Sequence, residues 1–273
     1  MYKFVFIAFN CQIDIFTNDK NISIFLNKYF FHCKTFEVVN YYFKLYITKD
    51  EKNYVSYDGY KEVVVSHENI FNHIITRIND ICIQVSKDAV FFHAASFMIE
   101  KKLYIIPSSS GSGKTTFLSL VLNEKSLDVY YISDDIVMFD NKKNQILGLP
   151  CGLKIKEGTL DKYFYGLKNE MYTYPSEGKK ISLFTPDNKI IRKFNIKNFE
   201  DIIFVTIKYD SEIDFTIEQI RGIKCVEMLI NNLYGIDSNT SNCLKNISTF
   251  NKASFYKMQY SNNDKAIEQL LNI

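Results

Sequence analysis

The chain has 273 residues, of which 47% are hydrophobic and 23% charged, enough for one large globular domain or two modest ones. Its formal net charge is +2, and only three of its 33 basic residues are arginines, so a nucleic acid is disfavoured as a partner. The six cysteines form no C-x-x-C pair, which disfavours a zinc site and a redox pair and favours reduced thiols in the cytoplasm.

The first residues of the chain are apolar only as far as Asn10, so the pattern favours a strand over a secretion signal. No apolar stretch reaches the length of a transmembrane helix, and we expect a cytoplasmic protein without a membrane partner. No internal repeat or low-complexity tract is present.

Residues 1–88 are predicted to form a small α+β unit. Alternating or continuous apolar residues predict strands at 2–9, 12–16, 36–48, 54–56 and 61–66, with a short helix over 19–27. A second helix is predicted because apolar side chains recur at helical spacing, namely Ile70, Ile74, Ile78, Ile81 and Val85. Ser66 or His67 is expected to cap this second helix.

Residues 89–273 are predicted to form a second, catalytic domain, because the pattern of the chain changes at residue 89. Residues 89–99 are predicted as one long apolar strand, which a turn joins to the next strand, 103–106. Further strands are expected at 128–133, 136–140, 145–149, 201–207 and 253–260, with a hairpin of 179–184 and 190–194. Helices are expected at 116–122, within 214–233, near 238–246 and after a cap at Asp264. The polar, tyrosine-rich stretch 158–178 is predicted to be a loop or lid.

The second of these strands leads into a Ser/Gly-rich loop and a helix, with the sequence Pro-Ser-Ser-Ser-Gly-Ser-Gly-Lys-Thr-Thr over 107–116. A strand, a glycine loop, Lys-Thr and a helix in this order are typical of a phosphate-binding loop. Gly111 and Gly113 allow tight turns that expose backbone N–H groups, which together with the helix N-terminus favour a polyphosphate. Lys114 is expected to reach the β- and γ-phosphates, and Thr115 to bind Mg²⁺. The alternative is a Ser/Gly-rich surface turn followed by an ordinary lysine.

The loop departs from the usual G-x-x-x-x-G-K-[ST] spacing at one position. Ser108 replaces the first glycine, which is acceptable if the φ angle there stays negative. We therefore interpret the loop as a variant phosphate-binding loop and expect ATP and Mg²⁺ to bind there. The predicted nucleotide-binding residues are Ser108, Ser109, Ser110, Gly111, Ser112, Gly113, Lys114, Thr115 and Thr116.

Two adjacent carboxylates, Asp134 and Asp135, follow the next apolar strand. At a strand end, one such carboxylate can hold Mg²⁺ while the other accepts the proton of an incoming hydroxyl group. The alternative is a polar strand end without chemistry. His93 lies on the strand predicted to pair with the one entering the loop, so its imidazole could lie close to the phosphates, although a histidine in the core is the alternative.

These residues resemble the catalytic core of the HPr kinase/phosphorylase family, and more closely the shorter HPr-kinase-like proteins found with peptide-modification systems. The resemblance is carried by His93-Ala-Ala-Ser, the loop 107–116, Ser133-Asp134-Asp135 and Pro150. It implies an α/β (α+β) P-loop kinase domain of the phosphoenolpyruvate-carboxykinase-like type, with mixed sheets, that uses ATP to phosphorylate serine. It also implies residue roles: Asp134 as the general base, Asp135 and Thr115 as metal ligands, and Lys114 and His93 as further catalytic residues.

One departure limits what the resemblance implies. The bifunctional enzymes of the family carry Glu-Val-Arg-Gly shortly after the acidic pair, whereas the nearest likeness here, Glu218 to Gly222, lies far downstream. Neither phosphorylase activity nor HPr as the substrate therefore follows. We expect a kinase that transfers the γ-phosphoryl group of Mg-ATP to a hydroxyl group, that of serine, on a peptide or small-protein substrate.

Two other functions remain open at this point. A nucleotide-sensing or assembly protein would bind ATP at the same loop without transferring a phosphoryl group. A small-molecule kinase would use the same residues with a different acceptor. A homo-oligomer is compatible with the sequence, and a transport ATPase is disfavoured because no Leu-Ser-Gly-Gly signature is present.

Overall fold

The computed structural model describes residues 1–33, 39–86, 88–109, 111–167, 171–187, 189–234 and 240–273. The strands in this part of the chain are β1 Tyr2–Ala8, β2 Cys11–Thr17, β3 Tyr41–Lys49, β4 Asn53–Tyr57, β5 Glu62–Ser66, β6 Val90–Phe92, β7 Ala94–Ile99, β8 Lys102–Pro107, β9 Val129–Ser133, β10 Val137–Asp140, β11 Gln145–Gly148, β12 Leu153–Lys156, β13 Tyr172–Ser176, β14 Lys179–Phe184, β15 Lys189–Ile190, β16 Lys193–Asn195, β17 Ile202–Tyr209, β18 Phe215–Gln219, β19 Leu233–Tyr234 and β20 Ser254–Tyr260. The α-helices are α1 Lys20–Tyr29, α2 Ile70–Val85, α3 Lys114–Asn123, α4 Glu157–Tyr163, α5 Ile223–Ile230, α6 Thr240–Ser248 and α7 Asn263–Leu271.

The chain forms two compact units, each built from two separate stretches: Met1–Lys87 with Pro150–Thr185, and Asp88–Leu149 with Pro186–Ile273. Both units combine helices with sheets, so the coarse prediction of a mixed α+β protein is confirmed. The functional division into 1–88 and 89–273 stays a prediction, and the compact units differ from it at residue 88 and in residues 150–185. Among the described residues, no helix is both long and apolar enough to cross a membrane.

The first unit contains a five-stranded sheet of order β1-β2-β3-β4-β5. Every second residue of β2 is buried, as expected for a strand with one face on the core. β2 and β3 pair in parallel, and the other neighbours pair antiparallel. Both α1 and α2 pack on this sheet, and the predicted apolar stripe of α2 is buried at Ile70, Ile74, Ile78 and Ile81.

The N-termini of α1 and α2, the two helices that pack on this sheet, are capped differently. The side chain of Asp19 accepts a hydrogen bond from the N–H of Asn21 at 2.7 Å, which satisfies the α1 N-terminus. The caps predicted for α2, Ser66 and His67, are wrong, because α2 begins after Asn69. The carbonyl of Ser66 accepts the N–H of Asn69 at 3.1 Å, so a turn separates β5 from the helix.

The loop or lid predicted at 158–178 is wrong, because most of this stretch is folded. It contains most of α4, a 3-10 turn at Tyr165–Leu167 and β13, while residues 168–170 lie outside the described part of the chain. Although the stretch is polar, its Tyr174 is buried, and the ring of Tyr174 packs against that of Phe25 with centroids 5.1 Å apart. This burial explains why the stretch packs with the N-terminal residues.

The hairpin predicted for 179–184 and 190–194 is also wrong. β14 is the middle strand of a three-stranded sheet of order β12-β14-β13 in the first unit. β15 and β16 instead pair with β9 and β11 in the second unit. Asn188, in the predicted turn, lies outside the described residues.

The second unit contains a seven-stranded sheet of order β15-β9-β7-β8-β17-β20-β18 and a five-stranded sheet of order β16-β11-β10-β6-β19. The two sheets share one apolar core, with Val90, Phe92, Val137 and Phe139 from the five-stranded sheet and Leu103, Ile105, Phe204 and Phe255 from the seven-stranded sheet. Helix α3 packs on β7 and β9. This packing fixes the sheet whose strand ends carry the predicted site residues.

The strand predicted at 89–99 is in fact two strands, β6 and β7, which belong to different sheets. The break lies at His93, whose backbone N–H donates to the carbonyl of Asn232 at 2.8 Å. Both halves are buried, so an apolar sequence alone does not indicate where the chain changes sheets. As a result, His93 lies directly before β7.

Of the C-terminal predictions, the helices are confirmed and one cap is wrong. The helix predicted within 214–233 is α5, which begins after Gly222 and follows β18. The cap predicted at Asp264 is wrong, since Asn262 caps α7 by accepting the N–H of Lys265 at 3.1 Å. The helix expected near 238–246 is α6 from residue 240 onward, and residues 238 and 239 lie outside the described part.

A candidate phosphate-binding site

Three predicted parts of the site lie at one end of the seven-stranded sheet. β7 runs antiparallel to both β8 and β9, so β8 and β9 run parallel to each other. β17 is parallel to β8, so β8, β9 and β17 end on the same side. The loop 108–113 follows β8, Asp134 and Asp135 follow β9, and His93 precedes β7. The fold therefore gathers these residues at one end of the sheet.

The loop enters α3 through two glycines with a left-handed backbone. The φ angle is +84° at Gly111 and +100° at Gly113, a region that other residues rarely adopt. Helix α3 begins directly after Gly113, whose carbonyl accepts the N–H of Phe117 at 2.8 Å. The residue at the N-cap, Gly113, has no side chain with which to cap this N-terminus. The helix dipole therefore favours an anion at the loop.

Lys114 is the first residue of α3 and is nearly buried, with 7% of its surface exposed. Its Nζ donates hydrogen bonds to the carbonyl of Ser108 and, at 3.1 Å, to that of Ser109. The ammonium group thus lies against the loop backbone, where the sequence predicted a positive charge. Ser110, another predicted nucleotide ligand, lies outside the described residues.

The loop is hydrogen-bonded to the neighbouring strand β17. The N–H of Ile207 donates to Ser108 Oγ at 2.9 Å, and the N–H of Tyr209 donates to the carbonyl of Ser112 at 3.2 Å. Ser108 is buried, with 5% of its surface exposed. Sequence reasoning placed Ser108 in the loop but missed these bonds, because β17 is far away along the chain.

Thr115 and Asp134, the predicted Mg²⁺ ligand and the predicted base, are in direct contact. Thr115 Oγ1 donates to the carboxylate of Asp134 and lies 3.1 Å from Oδ1 and 3.0 Å from Oδ2. Asp134 is 2% exposed. A buried carboxylate requires hydrogen-bond partners, and the Thr115 hydroxyl is one of them. Thr116, also a predicted nucleotide ligand, follows on α3, where its carbonyl accepts the hydroxyl of Ser119 at 2.7 Å.

The turn that carries Asp134 and Asp135 is fixed by the fully buried hydroxyl of Ser133. Ser133 Oγ lies 2.7 Å from the carbonyl of Ile136 and 3.2 Å from that of Leu149, and it accepts the N–H of Ile136 at 3.3 Å. Asp135 is half-buried beside Asp134. Ser133 was identified in the sequence only as part of a motif, and its role in holding this turn was not predicted.

His93, the third predicted catalytic group, is half-buried at the same end of the sheet. Its ring centroid lies 5.5 Å from that of Tyr234, with the two planes inclined by 53°. Its backbone is bound to Asn232, as described above. Its participation in chemistry stays a prediction.

The carboxylates and hydroxyl at this site suit a magnesium ion that keeps other oxygen ligands. Within the described residues, no three His, Cys, Asp or Glu side chains cluster closely enough to hold a metal ion by themselves. Mg²⁺ prefers oxygen ligands and usually takes only one or two protein carboxylates, with phosphate and water oxygens completing its shell. Thr115, Asp134 and Asp135 fit this requirement.

Gly148 was not singled out in the sequence, although it packs beside the acidic turn. A Cβ atom at Gly148 would lie 2.3 Å from Ile132 Cγ2 and 2.4 Å from the carbonyl oxygen of Ile132. The N–H of Gly148 also donates to the carbonyl of Arg192 at 2.9 Å. A glycine within an apolar strand often marks a close backbone approach, which is the signal that could have identified it.

A further acid, Asp210, follows β17 at the same end of the sheet and was not predicted. Its side chain accepts a hydrogen bond from Lys208 Nζ at 3.0 Å and from the N–H of Glu212 at 3.2 Å. These bonds, the one from Lys208 first, hold the pKa of Asp210 below its ordinary value. Asp210 is therefore ionised at neutral pH.

Comparison with known proteins gives matches only among solved structures. No protein-family model matches the chain, and no curated protein matches it either. Among solved structures, it is similar to the HPr(Ser) kinase/phosphatase from Coxiella burnetii. The TM-score is 0.30 and the sequence identity 12%, over 67% of this chain and 93% of that chain. A likeness at this level is too weak to indicate a function, so the function is inferred from the residues of the site.

Proposed function

We propose that this protein is a kinase that transfers the γ-phosphoryl group of Mg-ATP to a serine hydroxyl of a peptide or small protein. The observation that supports this most strongly is the hydrogen bond between Thr115 and Asp134. It joins the predicted phosphate-binding loop to a carboxylate at the end of another strand. Phosphoryl transfer needs these two parts side by side.

The loop 108–113 would bind the triphosphate through its backbone N–H groups and the α3 N-terminus. Lys114 would exchange its bonds with the loop carbonyls for bonds with phosphate oxygens. Thr115 and Asp135 would hold Mg²⁺. When bound, Mg²⁺ supplies positive charge that stabilises the charge developing on the phosphate oxygens.

Asp134 would act as the general base. The serine oxygen would form a bond to the γ-phosphorus while the bond to the departing ADP oxygen breaks, and the serine proton would pass to Asp134. The carboxylate of Asp134 already accepts a hydrogen bond from one hydroxyl group, that of Thr115, which is the chemistry a base for serine needs. His93 is proposed as an additional catalytic group at the same end of the sheet. Most of the rate would come from positioning and charge neutralisation.

Transfer of the radiolabelled γ-phosphate of ATP tests this proposal. The protein would be incubated with Mg-ATP and either serine-containing peptides or small metabolites that carry hydroxyl groups. The proposal predicts label in peptides, dependent on Mg²⁺ and absent with Asp134→Asn. Label in metabolites alone would make the protein a small-molecule kinase. Tight binding of Mg-ATP with no labelled product would make it a nucleotide-sensing or assembly protein.

A further inference from the structure

We propose that Ser108 is a positioning residue of the nucleotide site, whose hydroxyl fastens the phosphate-binding loop to strand β17. This inference rests on the proposed function, since it concerns the same loop. Ser108 stands where the usual spacing has a glycine, and its hydrogen bond with Ile207 explains why a serine suits this position.

The pairing of β8 with β17 explains why a hydroxyl is needed at this position. The regular ladder covers Leu103 to Ile105 of β8, opposite Ile202 to Phe204 of β17. β8 then gives way to the loop, while β17 continues to Tyr209. Beyond the ladder, the N–H of Ile207 donates to Ser108 Oγ at 2.9 Å. The side chain of Ser108 thus replaces the backbone acceptor that a continuing strand would have supplied.

A glycine at 108 would leave this donor without its acceptor. Ser108 is 5% exposed and Ile207 is 3% exposed, so water does not readily take the place of the hydroxyl. Buried backbone N–H groups are almost always paired, because leaving one unpaired is costly. In this chain, the usual glycine would therefore loosen the start of the loop.

The hydroxyl bond also remains when the lysine of the site changes partners. The carbonyl of Ser108 accepts Lys114 Nζ, whereas its hydroxyl accepts the N–H of Ile207. Only the first of these bonds has to break when Lys114 turns to a phosphate. The hydroxyl bond and the bond from Tyr209 to Ser112 then still hold the loop against β17. A loop held in place before binding gives higher affinity, because less conformational entropy is lost on binding.

The test compares affinity for Mg-ATP, by titration calorimetry, in the wild type and in Ser108→Ala, Ser108→Gly and Ser108→Thr. We expect Ser108→Ala and Ser108→Gly to weaken binding about 10-fold, and Ser108→Thr, which keeps a hydroxyl, to restore most of it. Hydrogen exchange at the Ile207 amide should become faster in the first two variants. The control is Ser119→Ala, since Ser119 is fully buried and its hydroxyl bonds within α3, to the carbonyl of Thr116. It should bind Mg-ATP as the wild type does.

Three results would overturn the assignment of Ser108: wild-type affinity in Ser108→Gly, unchanged exchange at Ile207 in Ser108→Ala, or an equal loss of affinity in Ser119→Ala. Each leaves the proposed function standing, because the wild type still binds. A wild type that binds no Mg-ATP would overturn the proposed function and this inference together.

Discussion

The hydroxyl of Thr115 donates a hydrogen bond to the carboxylate of Asp134, although the two residues follow strands that are not neighbours in the sheet. Thr115 follows β8 and its loop, Asp134 follows β9, and β7 lies between the two in the sheet. β7 runs antiparallel to both neighbours and begins at this end of the sheet, directly after His93. The hydrogen bond of 3.0 Å therefore passes over the start of β7. In open α/β sheets, ligands commonly bind outside the carboxyl ends of the strands, which is where β8 and β9 end here.

Asp134→Asn should separate binding from transfer. Asparagine has nearly the same size and can still accept the Thr115 hydroxyl, but it cannot take a proton from serine. We expect Mg-ATP affinity to stay within about 3-fold of the wild type, and the rate of transfer to fall by about 100-fold or more. Single-turnover transfer of labelled phosphate measures this rate.

The matched control for that variant is Asp128→Asn. Asp128 lies just before β9, at the opposite end of the strand from Asp134, and forms an exposed ion pair with Lys189 at 3.0 Å. Exposed ion pairs contribute little to stability, so this variant should transfer phosphate normally. Full transfer by Asp134→Asn would remove Asp134 as the base.

Gly148→Ala should destabilise the second unit. The added methyl group would overlap Ile132, which lies two residues before Asp134. Overpacking of this kind costs about 1–3 kcal/mol of unfolding free energy, because a strand has to shift. Urea unfolding, monitored by circular dichroism, measures the loss.

Gly158→Ala is the control for that substitution. Gly158 lies in α4, and a Cβ atom there would meet no atom within 4 Å beyond its chain neighbours and the backbone of its own helix. Alanine should stabilise that helix by about 0.5–1 kcal/mol, since glycine is a poor helix former. An equally mild effect of Gly148→Ala would mean that β9 and β11 are not as closely packed as described.

The buried pair of Tyr54 and Asp19 predicts an acid-sensitive contribution to stability. The Tyr54 hydroxyl donates to Asp19 Oδ2 at 2.7 Å. Burial raises the pKa of Asp19, but hydrogen bonds from Tyr54, Asn21 and Lys49 outweigh it and leave the pKa below its ordinary value of 3.8. A lowered folded-state pKa contributes stability that is present above the unfolded value and is lost as the pH falls through the folded value.

Tyr54→Phe removes one of those hydrogen bonds, the one from the Tyr54 hydroxyl to Asp19 Oδ2. We expect a loss of about 1.5–3 kcal/mol in unfolding free energy at pH 7, and a smaller difference from the wild type as the pH falls from 3.8 through the lower folded-state pKa of Asp19. Urea unfolding at a series of pH values measures both effects. Tyr60→Phe is the control, because Tyr60 is 89% exposed. If the difference in unfolding free energy between Tyr54→Phe and the wild type did not change with pH, the Tyr54 hydroxyl would not stabilise the protein through ionised Asp19.

The loop and the acidic pair could be predicted from the sequence because their signals are local. Two glycines before Lys114 specify a backbone that few other residues adopt, and the strand before Asp134 is continuous and apolar. The helical stripe of α2 is local in the same sense, since side chains three and four residues apart share one face.

What could not be predicted depends on partners that are distant along the chain. Nothing in the apolar run 89–99 indicates that the N–H of His93 bonds to Asn232 and that the strand changes sheets there. The pairing of β14 with β12 and β13 replaces a hairpin that the local pattern favoured. The role of Ser108 likewise depends on Ile207, which no spacing rule connects to it.

Titration of the protein with Mg-ATP, beside Lys114→Ala, tests the central claim most directly. The claim is that the loop 108–116 binds the triphosphate. The wild type should bind Mg-ATP, and Lys114→Ala should lose that binding while thermal unfolding shows that it remains folded. Lys125→Ala, at an exposed position after α3, should bind as the wild type does. Binding of Mg-ATP by Lys114→Ala with wild-type affinity would contradict the account.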